Sequence, residues 1–305
     1  MLTIIAAPRA FVGEFDVIQR NAIGSWTRLR PAPQVLLIGN EPGTADVCAE
    51  LGVGHIPGVR VGESGAPFAD SMLALAEQRA AHPLLLWVAA DTVLFDDLMH
   101  AARQVADRFE PFCMVVGRYH VTDSRPIDFT DPAWDARLRR AAFGPLLDDL
   151  GAGDVFLFRR HFWRDFPPFI EGRGALDGWM FFRTLATGAA LVDATAAVMT
   201  IHQDHGYGDQ ANRGSDVEAA YNRRLAGAGG LMTRDNANWL LTPRGLVRPR
   251  RSFRRHVAGC AYLAAAHPRL AWPLRAYRLA VDRLLLRPSA ARADTRVRAA
   301  GRRPA

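Results

Sequence analysis

The chain has 305 residues, 49% apolar and 23% charged, the composition of a soluble globular protein large enough for one sizeable α/β domain with an appendage. Every basic residue is Arg, and without Lys a Walker-type phosphate loop and pyridoxal or Schiff-base chemistry are excluded. The net charge of +7 divides into −7 over residues 1–243 and +14 over residues 244–305, an acidic body with a basic tail suited to an anionic partner or to a solvated extension.

Leu2 to Ala7 reads as a strand broken at Pro8, and Phe15 to Leu29, with Phe15, Ile18, Ala22, Ile23 and Trp26 at helical spacing, as an amphipathic helix. Gln34 to Ile38 is a second strand stopped by Gly39-Asn40-Glu41-Pro42-Gly43, and Thr44 to Leu51 a short helix. His55-Ile56 and Val59 to Val61 are short extended pieces, Pro67 to Ala81 a helix, Leu84 to Ala90 a strand, Phe95 to Phe109 a helix and Phe112 to Val121 a strand. This alternation predicts a doubly wound, mostly parallel, Rossmann-like α/β sheet. Beyond Val121 come an Asp- and Pro-rich loop, a helix near Trp134 to Ala142, a strand over Asp154 to Phe158, a helix over Leu176 to Ala186 and a strand within Ala190 to Ile201 that ends in His202. Ser252 to His267 and Pro268 to Leu286 predict a basic helical pair, and Pro288 to Ala305 a disordered tail.

Cys48, Cys113 and Cys260 are scattered and odd in number, as packed thiols are, and neither a disulfide framework nor a zinc cluster is expected. No stretch reaches the roughly 20 uncharged apolar residues of a spanning helix, and the first residues show no basic or cleavable leader, so the expected location is cytoplasmic. The HExxH and GxSxG signatures are absent.

The run Leu84-Leu85-Leu86-Trp87-Val88-Ala89-Ala90 ends on Asp91. A buried strand that delivers one carboxylate at its C-terminal tip can hold a divalent cation between protein and nucleotide phosphates, because open α/β sheets bind ligands there and hard cations take oxygen ligands. An Asp in that place can also simply cap the next helix.

The succession Gln19-Arg20-Asn21-Ala22-Ile23, Ala90-Asp91, Val116-Gly117-Arg118, Gly172-Arg173, Asp177-Gly178-Trp179 and His202-Gln203-Asp204-His205 resembles a family of plant and bacterial nucleotide-diphospho-sugar transferases of the GT-A fold. The likeness covers about residues 1–245. It implies a nucleotide-binding half over 1–121, an acceptor half over 122–245, a metal-bearing Asp after the fourth strand and a late His ligand; the residue pattern beyond it predicts a basic helical extension over 246–287 and the tail 288–305. Many relatives carry an Asp-x-Asp pair, whereas this chain has Ala89-Ala90-Asp91, so a second metal ligand has to come from elsewhere.

His202 and His205 are the candidates, since imidazole suits borderline ions such as Mn²⁺ and a His ending a strand of the same sheet can reach the tip site; His202, nearest the strand, is the first choice. A polar loop with local hydrogen bonds is the alternative. Asp177 reads either as the N-cap of the helix that follows it or as a general base that takes the acceptor hydroxyl proton, the role the resemblance implies. Trp179 either floors the sugar by stacking or belongs to the core.

Candidate nucleotide contacts are Pro8, Arg9 and Phe11, then Asn40 and Glu41, then Gly65 to Ser71, with Ala90 beside the metal acid; they share only a place at the carboxyl ends of successive strands. The expected activity is transfer of a sugar from a nucleotide-diphosphate donor, UDP-linked by the resemblance, to a hydroxyl of a glycan, lipid or small molecule, with Mn²⁺ or Mg²⁺ assisting. A sugar-nucleotidyltransferase would need a Lys-bearing N-terminal loop that Ala6 to Gly13 lacks. A catalytically silent GT-A-fold scaffold is the other reading. Arg interleaved with Trp272, Tyr277 and Leu residues points to peripheral contact with an inner membrane face, or to a helix pair packed on the body; no nucleic-acid partner is expected.

Overall fold

The computed structural model describes residues 1–142, 153–205 and 215–281. The first elements are β1 (Leu2–Ala6), α1 (Glu14–Trp26), β2 (Gln34–Ile38), α2 (Thr44–Leu51), β3 (Gly54–Ile56), α3 (Ala69–Arg79) and β4 (Leu84–Val88). They are followed by β5 (Thr92–Val93), α4 (Asp97–Arg108), β6 (Phe112–Val116), β7 (Arg118–Val121), α5 (Trp134–Ala141) and β8 (Val155–Arg159). The remainder holds α6 (Leu176–Ala186), β9 (Ala190–Asp193), β10 (Thr200–Gln203), α7 (Ser215–Ala226), β11 (Trp239–Thr242), β12 (Gly245–Val247), α8 (Phe253–Ala266) and α9 (Ala271–Val281).

Among the described residues, nine strands form the central sheet in the order β12-β11-β9-β6-β8-β4-β1-β2-β3. It is parallel except at β8, antiparallel to both β4 and β6, and at β12, antiparallel to β11. Leu84, Leu86 and Val88 enter one buried cluster while Leu85 and Trp87 enter the cluster on the other face. A strand covered on both faces has no solvent side to carry polar residues, which is why 84–90 reads as an unbroken apolar run. The helices bury one stripe each: α4 turns Leu98, Met99, Ala102 and Val105 inward. The fold is the doubly wound, mostly parallel α/β sheet that the alternation of strands and helices predicted.

Two predicted strands are each divided. Phe112 to Val121 breaks at Gly117, where the chain leaves the central sheet as β6 and joins a second sheet as β7. Ala190 to Ile201 likewise becomes β9 in the central sheet and β10 in the second, whose order is β5-β10-β7. His202 therefore comes from a separate small sheet and not, as expected, from the sheet that carries Asp91. Val59 to Val61 forms no strand; Val61 makes only an isolated bridge to Pro67.

The central sheet continues through β12 to Val247, past residue 245, and α8 is built into the body. Ser252 caps α8 by accepting from the Arg255 N–H, and Val257, Ala258, Cys260, Ala261 and Ala264 are buried. The predicted tail over 288–305 lies outside the described residues.

Candidate active site

Asp91 lies in the short turn between β4 and β5, separated from the end of β4 by Ala89 and Ala90. Its neighbour Thr92 starts β5, which pairs antiparallel with β10 so that His202 stands opposite Thr92. That register brings His202 Nδ1 to 3.2 Å from Asp91 Oδ1, and His205 Nε2 to 3.2 Å from Asp91 Oδ2. The ligand atoms of Asp91, His202 and His205 lie within 4.8 Å of one another. His202 Nδ1 is buried and has no hydrogen bond in spite of its nearness to Asp91. One carboxylate, two imidazoles and an orphaned nitrogen fit a borderline divalent ion such as Mn²⁺.

The residues around this trio hold it in place. Gln203 donates Nε2 to the carbonyls of Ile18 (2.8 Å) and Asp91 (3.1 Å), and accepts from Asn21 Nδ2 at 2.8 Å. Asn21 also donates to the Arg125 carbonyl and accepts from the Ile127 N–H, which ties α1 to the loop after β7. Gln19 brackets Arg9 from both sides, accepting its N–H at 2.6 Å and donating to its carbonyl at 3.0 Å. The polar positions of the 19–23 motif thus position loops on α1. His120 Nδ1 lies 2.7 Å from Asp204 Oδ1, and its ring meets that of His202 edge-on.

Three further carboxylates gather nearby. Asp154 stands just before β8; because β8 is antiparallel, it starts where β4 and β6 end, with Val155 opposite Val88 and Val116. Arg118 donates Nη1 to both Asp154 oxygens at 3.0 and 3.1 Å, and Asp154 Oδ2 is 3.9 Å from His202 Nδ1. Asp177 accepts the Gly153 N–H on Oδ2 at 3.0 Å. Glu171 lies on the loop into α6, where Gly172, Gly174 and Ala175 all have positive φ, at 69°, 70° and 63°. For Ala175 this is a left-handed conformation that a side chain disfavours.

Burial governs the titration of these groups. It pushes Asp177 up to about 7, with the Asp154 charge adding to it, and Glu171 up to about 8, with the Asp177 charge adding to it. Asp154 is also raised by burial, against the pull of Arg118 and His202. At Asp91 burial acts in the same sense, but the two imidazoles of His202 and His205 beside it outweigh it and hold the carboxyl below its ordinary range. Burial opposes protonation of His202, yet Asp91 raises it overall.

Asp177 is the second residue of α6, and Ala175 occupies the N-cap, so the capping role considered for Asp177 does not apply. A carboxyl in the first helical turn with a pKa near neutrality can accept a proton at physiological pH. Trp179 packs among aromatic side chains, with ring centroids 5.1 Å from Phe166 and 5.4 Å from Phe169. Its partners are those of the core reading.

The residues named as nucleotide contacts lie in the segments that follow β1, β2, β3 and β4, with Ser71 inside α3. Pro8 follows β1, and Asn40 and Glu41 follow β2, with Asn40 exposed. Phe11 is buried against the Pro42–Gly43 turn and donates its N–H to the Pro42 carbonyl at 2.8 Å, so it serves the core beneath this loop. Gly65, with φ 84°, closes a turn, Ser71 Oγ accepts the Arg60 N–H at 3.1 Å, and Ala90 is buried beside Asp91. In the 62–65 turn, Ser64 Oγ donates to Glu218 Oε2 at 2.7 Å, the oxygen that Arg173 also engages at 2.7 Å.

The sequence alone assigns no site role to Asp154, Glu171 or Arg118. An acid before an apolar run was the available signal for Asp154, but nothing local says that the run will lie antiparallel. Glu171 carries no local signal at all.

No protein-family model and no curated protein sequence matches the chain. Among solved structures it is similar to a Pyrobaculum calidifontis mannosyltransferase in complex with GDP-Man and Mn²⁺, at 15% identity and TM-score 0.49, covering 98% of this chain and 79% of that one. S. aureus TarS in complex with UDP-GlcNAc is similar at 12% identity and TM-score 0.49, covering 88% of this chain and 83% of that one. The Mycobacterium tuberculosis glucosyl-3-phosphoglycerate synthase in complex with Mn²⁺, UDP and phosphoglyceric acid shares 13% identity at TM-score 0.47, covering 74% and 78%.

Proposed function

We propose that the protein transfers a sugar from a nucleotide-diphosphate donor, UDP-linked in the first instance, to a hydroxyl acceptor, with a divalent cation at Asp91, His202 and His205. The observation that carries this reading is the pairing of that trio with the buried carboxyl of Asp177 at the same edge of the sheet. When bound, the cation would neutralise charge that develops on the leaving diphosphate.

The chain's own residues supply the rest. Asp177, ionised, takes the proton from the acceptor hydroxyl as its oxygen bonds to the sugar's anomeric carbon and the bond to the β-phosphate oxygen breaks. Arg118 orients Asp154 toward His202 through its two hydrogen bonds. Asn21 and Gln203 fix the backbone of Asp91 and the loop after β7.

Peripheral contact with an anionic lipid surface belongs to the same proposal. Residues 244–281 hold nine Arg and no acid, a charge that complements acidic headgroups. Trp272 is 80% exposed, and Leu270, Tyr277 and Leu279 are exposed on the same α9 region. Among the described residues no helix is long and apolar enough to cross a membrane.

Incubation with Mn²⁺ and a panel of UDP- and GDP-linked sugars, followed by release of free nucleoside diphosphate, tests the activity. Release by the wild type and its loss in Asp177→Asn is the expected result; no release from any donor, with or without acceptor hydroxyls, would favour a silent scaffold.

A further inference from the structure

Arg234 opens the short 3₁₀ turn Arg234–Asn236 and is 2% exposed. The turn is held firmly. Thr233 and Asn236 cap it reciprocally, Asn236 Nδ2 donates to the Ala258 carbonyl on α8 at 2.7 Å, and Arg255 Nη1 donates to the Asp235 and Ala237 carbonyls at 2.9 Å each. Just upstream, Gly230 packs against Ala175 and against Gly178, leaving no room for a Cβ at 178 on the helix that carries Asp177.

The Arg234 guanidinium lies over Gly117, the residue at which the chain passes from β6 to β7. A Cβ at position 117 would fall on Nη1, so the side chain occupies its place only because 117 is glycine. Gly117 precedes Arg118, whose own guanidinium is paired with Asp154 beside His202. Arg234 has no such partner. Its Nε and Nη1 are buried without a hydrogen bond, and no carboxylate pairs with it among the described residues. A guanidinium cannot shed its proton to escape burial, so an unpaired one is strongly destabilising unless an anion arrives.

We propose that Arg234 is a substrate-recognition residue that takes a phosphate or carboxylate oxyanion at the carboxyl edge of the central sheet. A planar fork with free N–H donors suits such a group better than any neutral one. The identity of the oxyanion rests on the transferase reading: it is the donor's diphosphate or an acidic group of the acceptor.

Calorimetric titration of the full chain with inorganic phosphate, and with UDP plus Mn²⁺, tests this in the wild type, Arg234→Met and Gly117→Ala. Arg234→Met should weaken phosphate binding about tenfold or more, the loss of a charge-assisted hydrogen bond. Its ligand-free melting temperature should be unchanged or higher, since a buried unpaired charge has gone. Gly117→Ala keeps the arginine but fills its space and should weaken phosphate similarly, which guards against a methionine variant that misfolds. Weakened UDP–Mn²⁺ binding in both variants assigns the oxyanion to the donor; unchanged UDP–Mn²⁺ binding, with weaker phosphate binding to the UDP-loaded protein, assigns it to the acceptor. A wild type that binds phosphate through Arg234 but never UDP keeps this site and refutes the transferase reading. Variants that bind both probes as the wild type does, or a wild type that binds neither, overturn the proposal.

Discussion

His205 Nε2 lies 3.2 Å from Oδ2 of Asp91, 114 residues earlier in the chain. The two meet because β5 and β10 pair antiparallel in a small sheet beside the carboxyl edge of the central one. Two residues of strand, Thr92 and Val93, decide where the imidazoles stand.

Substituting either His should therefore act on metal binding before it acts on the fold. His202→Ala with His205→Ala is expected to weaken Mn²⁺ binding by at least about tenfold, the scale of losing metal-ligand support. Calorimetric Mn²⁺ titration beside a melting curve separates the two effects. A drop in melting temperature with an unaltered titration would mean that the histidines only hydrogen-bond locally.

Transfer should depend on ionised Asp177. With its carboxyl pushed up to about 7, the rate is expected to rise with pH through that value and to level above it. Asp177→Asn should lower turnover by about 10²–10⁴-fold, the usual worth of a positioned base, while UDP–Mn²⁺ binding persists. A turnover that is flat from pH 5 to 9 would remove the residue from that role.

The same burial has a consequence for stability with a definite sign. Asp177 and Glu171 titrate higher in the folded chain than in the unfolded one, so the folded state holds more protons between the ordinary carboxylate range and about 7 to 8. Stability should therefore fall as pH rises through that window and level off above it. Asp91, held low, acts oppositely: its contribution is complete above the ordinary carboxylate range and is lost as pH falls below it. Denaturant melts of Asp177→Asn and Glu171→Gln across pH 4 to 9 should show a flatter decline than the wild type.

Much of the fold was legible in the sequence because the strands of the central sheet are buried on both faces and the helices on one. The runs over 34–38 and 84–88 and the α4 stripe announce themselves that way. Gly117 and the 194–199 stretch did not, since a strand that changes sheets keeps its apolar composition across the break. At the candidate site, Asp91, His202, His205 and Asp177 were visible as polar residues near the ends of apolar elements. Asp154, Glu171 and Arg234 owe their setting to an antiparallel strand, a loop of positive φ and a glycine 117 residues before Arg234 in the chain. None of these pairings has a local signature.

The C-terminal helices make a separate prediction. Deleting residues 244–305 would remove β12 and the buried face of α8, so loss of solubility would say nothing about lipid. Trp272→Ala combined with Leu279→Ala alters only exposed side chains. The full chain should co-sediment with phosphatidylserine-containing vesicles at low ionic strength and detach as salt screens the roughly 1 kcal/mol contributed by each basic residue near the surface. The double variant should bind more weakly at every salt concentration; equal binding would show that these side chains do not enter the lipid interface.

The most direct test of the central claim, that the trio at Asp91 holds a cation which engages the donor's diphosphate, is calorimetric binding of UDP with and without Mn²⁺ to the wild type and to Asp91→Asn. An amide keeps the shape of the carboxylate but not its charge. Binding that requires Mn²⁺ in the wild type and disappears in Asp91→Asn, with the melting curve preserved, is the predicted result; UDP binding that is equal with and without the metal, or unchanged in the variant, would contradict it.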